Sequence, residues 1–462
     1  MGMAGVLTLL SAAAAVSASV SLPLSPPRLP EGVNDLAVAQ VEQLGVLAKY
    51  GYGKRDIGLR SWGYGYTVQV QVGTPPQAFN VMPDTGSFDF WLIGTCDNAT
   101  ECGSASVYHT AASSTFHPTD LAFQAGPYAD GGMQRGMWGY DHVRLGQQTV
   151  NVSIGVSNET LNWRLAMDGI MGFGRGSTTI DTALWWMSAA ADWTEPQFGM
   201  HLGRTPGGIG TSQTAAAGDL TLGGVNHALF TGDIEYVPLL KGSQSIHWEV
   251  SMRAVVDGFN LGAALPALID SGTTLVIGPA SYVAAFYANL PTHAVSIGGG
   301  QYVYKAAPLN TGLNFGGATY MLDDDDMCRV RGSREWYAAQ GIELPEDGEW
   351  CLGGVTGQGS LKNAGNVDTG AAPMRELDHW IVGNTFMKNV YCVFRADPPA
   401  VGFAQLTPEA NKKYPQTPSV GRVPVSTGVS VSGAGQRAGQ RPAAWLGLVP
   451  ALGLGLVPAL LG

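Results

Sequence analysis

From residue 66 to residue 72 the chain reads Tyr-Thr-Val-Gln-Val-Gln-Val, apolar and polar by turns. A period of two predicts a strand with one buried face. Residues 73–77, Gly-Thr-Pro-Pro-Gln, break the alternation and turn the chain. Residues 78–82 then run back as a second strand that stops at Asp84-Thr85-Gly86-Ser87. The second half repeats the pattern, with Ala267-Leu268-Ile269 leading into Asp270-Ser271-Gly272-Thr273. Residues 390–394, Val-Tyr-Cys-Val-Phe, are apolar throughout and predict a fully buried strand holding a free Cys392 thiol. A weakly helical stretch, residues 34–49, lies outside these runs.

Composition supports short strands and tight turns. Of 462 residues, 64 are Gly, and only 13% are charged against 45% apolar. That balance excludes a charge-rich disordered chain, a coiled coil and a long helical bundle. The net charge of −11 and the lack of a basic stripe argue against nucleic acid as a partner.

The two Asp-bearing turns carry the candidate chemistry. Gly86 and Gly272 let the backbone fold tightly beside the carboxylate. Ser87 and Thr273 can donate to the Asp oxygens and fix their orientation. Two carboxylates brought close cannot both ionise, so they share a proton, and one acts as base while the other acts as acid. Asp368-Thr369-Gly370 follows a polar, loop-like stretch and lacks the second hydroxyl, so it reads as a turn.

At this point the chain resembles the pepsin-like aspartic endopeptidases, from about residue 66 to residue 406. The resemblance rests on the paired motifs at Asp84 and Asp270 and on weaker landmarks in family order. These are residues 73–77 as the opening turn, Trp91 after the first motif, and Tyr128-Ala129-Asp130-Gly131-Gly132 as a flap tip. Asp168-Gly169-Ile170-Met171-Gly172 and Trp380-Ile381-Val382-Gly383 resemble the hydrophobic-Gly motifs of the two lobes. The resemblance implies an all-β, two-lobed fold with pseudo-twofold symmetry around a cleft, with lobes at 56–230 and 231–410. It implies peptide hydrolysis at acidic pH by a water between Asp84 and Asp270, with no cofactor and no metal. The neighbours Thr85 and Ser271 belong to the two turns, and Tyr128 closes over the substrate with Trp91 as its partner. Met167, Ile170 and Phe173 line the cleft as apolar residues. Asp130 either receives a basic substrate side chain or only stabilises its hairpin. The chain departs from the pattern at Pro83, at Phe88-Asp89-Phe90, at Asn384, and by one residue inserted before Gly139-Tyr140-Asp141.

The termini and sequons point to the secretory pathway. Residues 1–18 read as a signal peptide, and residues 19–55 as a pro-segment closed by the dibasic pair Lys54-Arg55. Residues 411–432 form a Ser/Gly/Pro-rich stalk. Small residues at 432–434, a polar spacer and the apolar tail 443–462 make the pattern of a GPI-attachment signal, with Ser432 as the omega residue. A spanning helix is the alternative, weakened by Pro450 and Pro458. This arrangement resembles the yapsin-like fungal branch, a monomer tethered at the cell surface. Asn98, Asn151 and Asn158 head N-glycosylation sequons. Cys96 and Cys102 can close a short loop, and Cys328 with Cys351 is the next pair.

Rival readings differ in class. Residues 323–326, four Asp in a row, lack the spacing of an EF-hand and predict a solvated loop rather than a calcium site. No G-x-S-x-G elbow offers a serine nucleophile. Paired carboxylates serve glycosidases too, without needing matched turns. The second function hypothesis is a catalytically silent cell-surface or binding protein that keeps the pepsin-like fold. Cleavage of a denatured protein at acid pH, with and without a statine-type inhibitor, separates it from the enzyme.

Overall fold

The structure is a computed structural model that describes residues 20–24, 65–95, 105–125, 133–161, 167–204, 218–240, 246–358 and 378–412. It is mostly β. Two seven-stranded sheets carry the two halves.

In the first sheet the strand Gln77–Asp84 lies between Val68–Val72, antiparallel, and Gly169–Gly172, parallel. Phe90–Ile93 follows antiparallel to Gly169–Gly172. The long hairpin Met133–Leu145 and Gln148–Leu161 extends the sheet, and Val68–Val72 also pairs with Met133–Leu145, so the sheet curls back on itself. The second half repeats the central arrangement. Phe259–Ile269 lies between Glu249–Val256, antiparallel, and Trp380–Val382, parallel. Val276–Gly278 then follows antiparallel to Trp380–Val382.

A six-stranded sheet joins the halves, in the order Val20–Leu24, Gly218–Leu222, Gln197–Leu202, Val390–Arg395, Ala400–Leu406 and Phe230–Pro238. Its central strands are buried on both faces, and residues 390–394 read as an unbroken apolar run rather than an alternation. A four-stranded sheet, Ala294–Gly298, Gln301–Lys305, Glu349–Gly353 and Cys328–Ser333, holds a satellite core around Trp350 and Tyr337. Cys328 is bonded to Cys351 across its two paired strands, and Cys392 is a buried free thiol whose pKa burial pushes up.

One expectation changes here. Residues 323–326 do not form a solvated loop. Asp323 caps the short helix Asp324–Met327 by accepting from the Asp325 N–H, and Asp326 is buried against Arg204 and Lys388. Those cations come from elements far along the chain, so the four-Asp run alone gave no sign of them. Pro83 costs the sheet little, because pairing with Val68–Val72 has already ended at Val81.

Candidate active site

The two Asp turns end strands in corresponding places, and local chemistry shapes both alike. Asp84 Oδ1 accepts from the Gly86 N–H at 3.0 Å, and Ser87 Oγ donates to Asp84 Oδ2. Asp270 Oδ1 accepts from the Gly272 N–H at 2.9 Å, and Thr273 Oγ1 donates to Asp270 Oδ2. Each carboxylate is therefore held at both oxygens by its own turn. Both are buried, at 1% and 0% exposure.

Reciprocal hydrogen bonds lock the turns together. Thr85 N donates to Ser271 Oγ at 3.0 Å, and Ser271 N donates to Thr85 Oγ1 at 2.9 Å. Thr85 Oγ1 donates onward to Ile269 O at 2.8 Å, and Ser271 Oγ to Pro83 O at 2.7 Å. The closeness leaves no room for another atom, since a Cβ built on Gly272 would lie 2.3 Å from Asp84 Oδ1. Glycine is required there by contact with the opposite carboxylate.

Strand alternation sorts the surrounding side chains. Met82 is two residues before Asp84 and shares its face of the sheet. It pairs with Ile170, and both join Trp91, Phe123, Trp138 and Met167 in an apolar cluster separate from the main core. Trp91 is 1% exposed, with its ring 6.4 Å from Phe123. Phe173 departs from the expectation. It packs in the main core, 5.0 Å from Phe198, because it follows Met171 onto the opposite face. Sequence reasoning missed Met82, whose place two residues before Asp84 in a strand was the available signal.

Three other carboxyls shape the first lobe. Burial pushes the Asp89 carboxyl up, against a hydrogen bond from Thr179 N at 2.9 Å. Burial likewise raises Asp168, which accepts from Asn80 N at 2.7 Å and Ser106 N at 2.6 Å. At Asp141 burial also pushes upward, but donors from Thr115, Tyr108, Ser113 and His142 together hold it below the usual range. Asn384 is buried and donates its backbone N–H to Thr273 O at 2.8 Å.

Tyr128, Asp130, Cys96, Cys102, Asn98 and Ser432 lie outside the described residues, as do the turn at Asp368 and the signal and tail segments. Strands His117–Ala125 and Met133–Leu145 pair on either side of residues 126–132. Asn151 and Asn158 are exposed on Gln148–Leu161. Among the described residues no three His, Cys, Asp or Glu side chains gather as a metal-ligand group.

Two strand-borne Asp turns locked face to face in a double β scaffold are now in place, and the family model for eukaryotic aspartyl proteases matches residues 65–406. The chain belongs to that family. It is an aspartic-type endopeptidase of the pepsin family. It is 29% identical over 373 residues to major aspartyl peptidase 1 of Cryptococcus neoformans var. grubii, covering 76% of this chain and 70% of the relative. It is 27% identical over 355 residues to gastricsin of Mus musculus, covering 73% and 80%. Human gastricsin is similar at 26% over 375 residues, covering 77% and 86%.

Proposed function

We propose that Asp84 and Asp270 are the catalytic pair of this endopeptidase and that it works at acidic pH. The reciprocal bonding of Thr85 and Ser271 carries the reading, because it brings two buried carboxylates into one site. With one proton between them, the ionised Asp takes a proton from a bound water as it attacks the scissile carbonyl. The protonated Asp donates to the carbonyl oxygen as charge develops there, and a proton then passes to the leaving nitrogen. Tyr128 closes over the peptide in this scheme. Cleavage of an acid-denatured protein by wild type, and its loss in Asp84→Asn and Asp270→Asn with folding intact, tests the assignment. Full activity in either variant sinks it.

The apolar cluster of Met82, Met167 and Ile170 on the Asp84 face supports acceptance of large apolar side chains at the cleaved position. Unbranched Met side chains adapt to several shapes. Asp130 supplies a basic preference if it faces the same pocket. A fall in the Lys-to-Leu ratio of kcat/KM in Asp130→Ala separates that role from turn stabilisation.

The enzyme is proposed to be secreted as a zymogen and tethered outside the cell. Pairing of Val20–Leu24 with Gly218–Leu222 over five residues supports a pro-segment, residues 19–55, that folds onto the body before cleavage after Arg55. The apolar tail and Ser432 support a GPI anchor. Release from cells by a phosphatidylinositol-specific phospholipase tests the tether, and retention after that treatment rejects it.

A further inference from the structure

The bonds that join the two turns directly are short-range, and a second connection runs behind them through Trp248. Its side chain is fully buried and packs against Trp186, Phe198 and Phe394, with ring centroids 5.8, 6.0 and 5.3 Å away. Packing alone does not explain where its polar atoms go. The indole Nε1 donates to Phe173 O at 2.8 Å, and the Trp248 carbonyl accepts from Ile269 N at 3.1 Å. Each partner touches a different carboxylate turn.

On the first side, Phe173 N donates to Asp84 O at 2.7 Å. The Phe173 carbonyl shares a rigid peptide plane with the Gly174 N–H, which donates to Ser87 O at 2.9 Å. Ser87 is the residue whose hydroxyl donates to Asp84 Oδ2. On the second side, Ile269 immediately precedes Asp270, and its carbonyl accepts Thr85 Oγ1 at 2.8 Å. We propose that Trp248 is a positioning residue that fixes the separation of the two carboxylate turns, without touching substrate or either carboxylate. This deepens the reading of Asp84 and Asp270 as the catalytic pair and rests on it.

Removing the indole N–H leaves the buried Phe173 carbonyl unpaired, and the plane that holds Ser87 is then free to tilt. Carboxylates that drift apart repel less, so the two apparent pKa values of the pair approach each other. Misplacement of this kind acts on the reaction rather than on peptide binding.

The test replaces the Trp248 indole with the near-isosteric benzothiophene of benzothienylalanine, which keeps the fused ring and puts a sulfur in place of the donor, and pairs it with Trp248→Phe. The expected result is a kcat lowered about ten- to a hundredfold with KM unchanged, and a narrower pH profile. The same benzothienylalanine replacement at Trp185 is the control. That buried indole donates to Val143 O at 2.9 Å, away from both turns, so its loss lowers Tm and leaves kcat and the profile as in wild type. A Trp248 isostere with wild-type kcat and pH profile overturns the proposal. So does a kcat loss that only tracks the loss of folded protein. Asp84→Asn or Asp270→Asn retaining activity refutes instead the catalytic pair itself.

Discussion

Behind Asp84 stands a strip of chain, residues 172–174, whose N–H groups donate to Asp89, Asp84 and Ser87 carbonyls at 3.0, 2.7 and 2.9 Å. Its outward carbonyls are taken by indoles, Phe173 O by Trp248 and Gly174 O by Trp186, each at 2.8 Å. Behind Asp270 the corresponding strip is residues 382–385. Val382 O accepts the Asp270 N–H, and the N–H groups of Gly383, Asn384 and Thr385 donate to Leu275, Thr273 and Thr274 carbonyls at 2.7 to 3.0 Å. This strip runs directly into the short helix Asn384–Met387. The two turns thus present the same pair of donors to their carboxylates from different supports, one pinned by large aromatic side chains and one by the start of a helix. Geometry at the reacting oxygens is shared, and the means of holding it is free to diverge.

The largest expected effect concerns what the turns share. Asp84→Asn and Asp270→Asn should each lower kcat/KM on the order of 10⁴-fold, measured on a fluorogenic peptide at acid pH, because the pair acts as a unit. A large difference between the two losses breaks the equivalence of the turns. Next comes the contact that crosses between them. Gly272→Ala places a methyl 2.3 Å from Asp84 Oδ1, inside contact distance, and kcat should fall about a hundredfold although the substitution sits in the opposite turn. A mild effect would mean that the turns separate easily.

The outer hydroxyls sharpen the comparison. Thr273 is 1% exposed and Ser87 is partly exposed, so water can replace the lost donor only at Ser87. Thr273→Ala should cost about tenfold in kcat and Ser87→Ala about threefold. A hydroxyl that donates to a carboxylate favours its charged form, so each loss should also move the acid limb of the rate profile to higher pH. Equal costs would show that both hydroxyls are equally shielded.

The smallest effect lies at Asp89, in the first turn's extension. Its carboxyl is raised by burial, so its contribution to stability is complete below the unfolded value of about 3.9 and is lost as pH rises through the folded value. Asp89→Asn keeps the acceptor for Thr179 N and removes the charge. Melting curves should show an unchanged Tm at low pH and a rise of about 2–4 °C at neutral pH. The opposite sign would mean that Asp89 is ionised and satisfied in the fold.

Much of this was legible in the chain itself. Period-two alternation at residues 66–72, an apolar run before each Asp, the Gly-Thr-Pro-Pro turn and the matched Asp-hydroxyl-Gly-hydroxyl sequences are local patterns, and strands and tight turns obey local rules. The Phe173 expectation failed because strand alternation had to be extended past the end of a strand whose limits only the structure gives. Asp326 was misplaced because Arg204 and Lys388 stand 122 and 62 positions away.

What the sequence determined alone was the chemistry of each turn, since carboxylate, glycine and hydroxyl lie within four adjacent residues. What only the tertiary structure decided was how the turns face each other. Thr85 and Ser271 are 186 positions apart, and Trp248 reaches Phe173 across 75. No periodicity spans such distances, because contacts of that kind exist only where residues remote in the chain have packed together and excluded water between them.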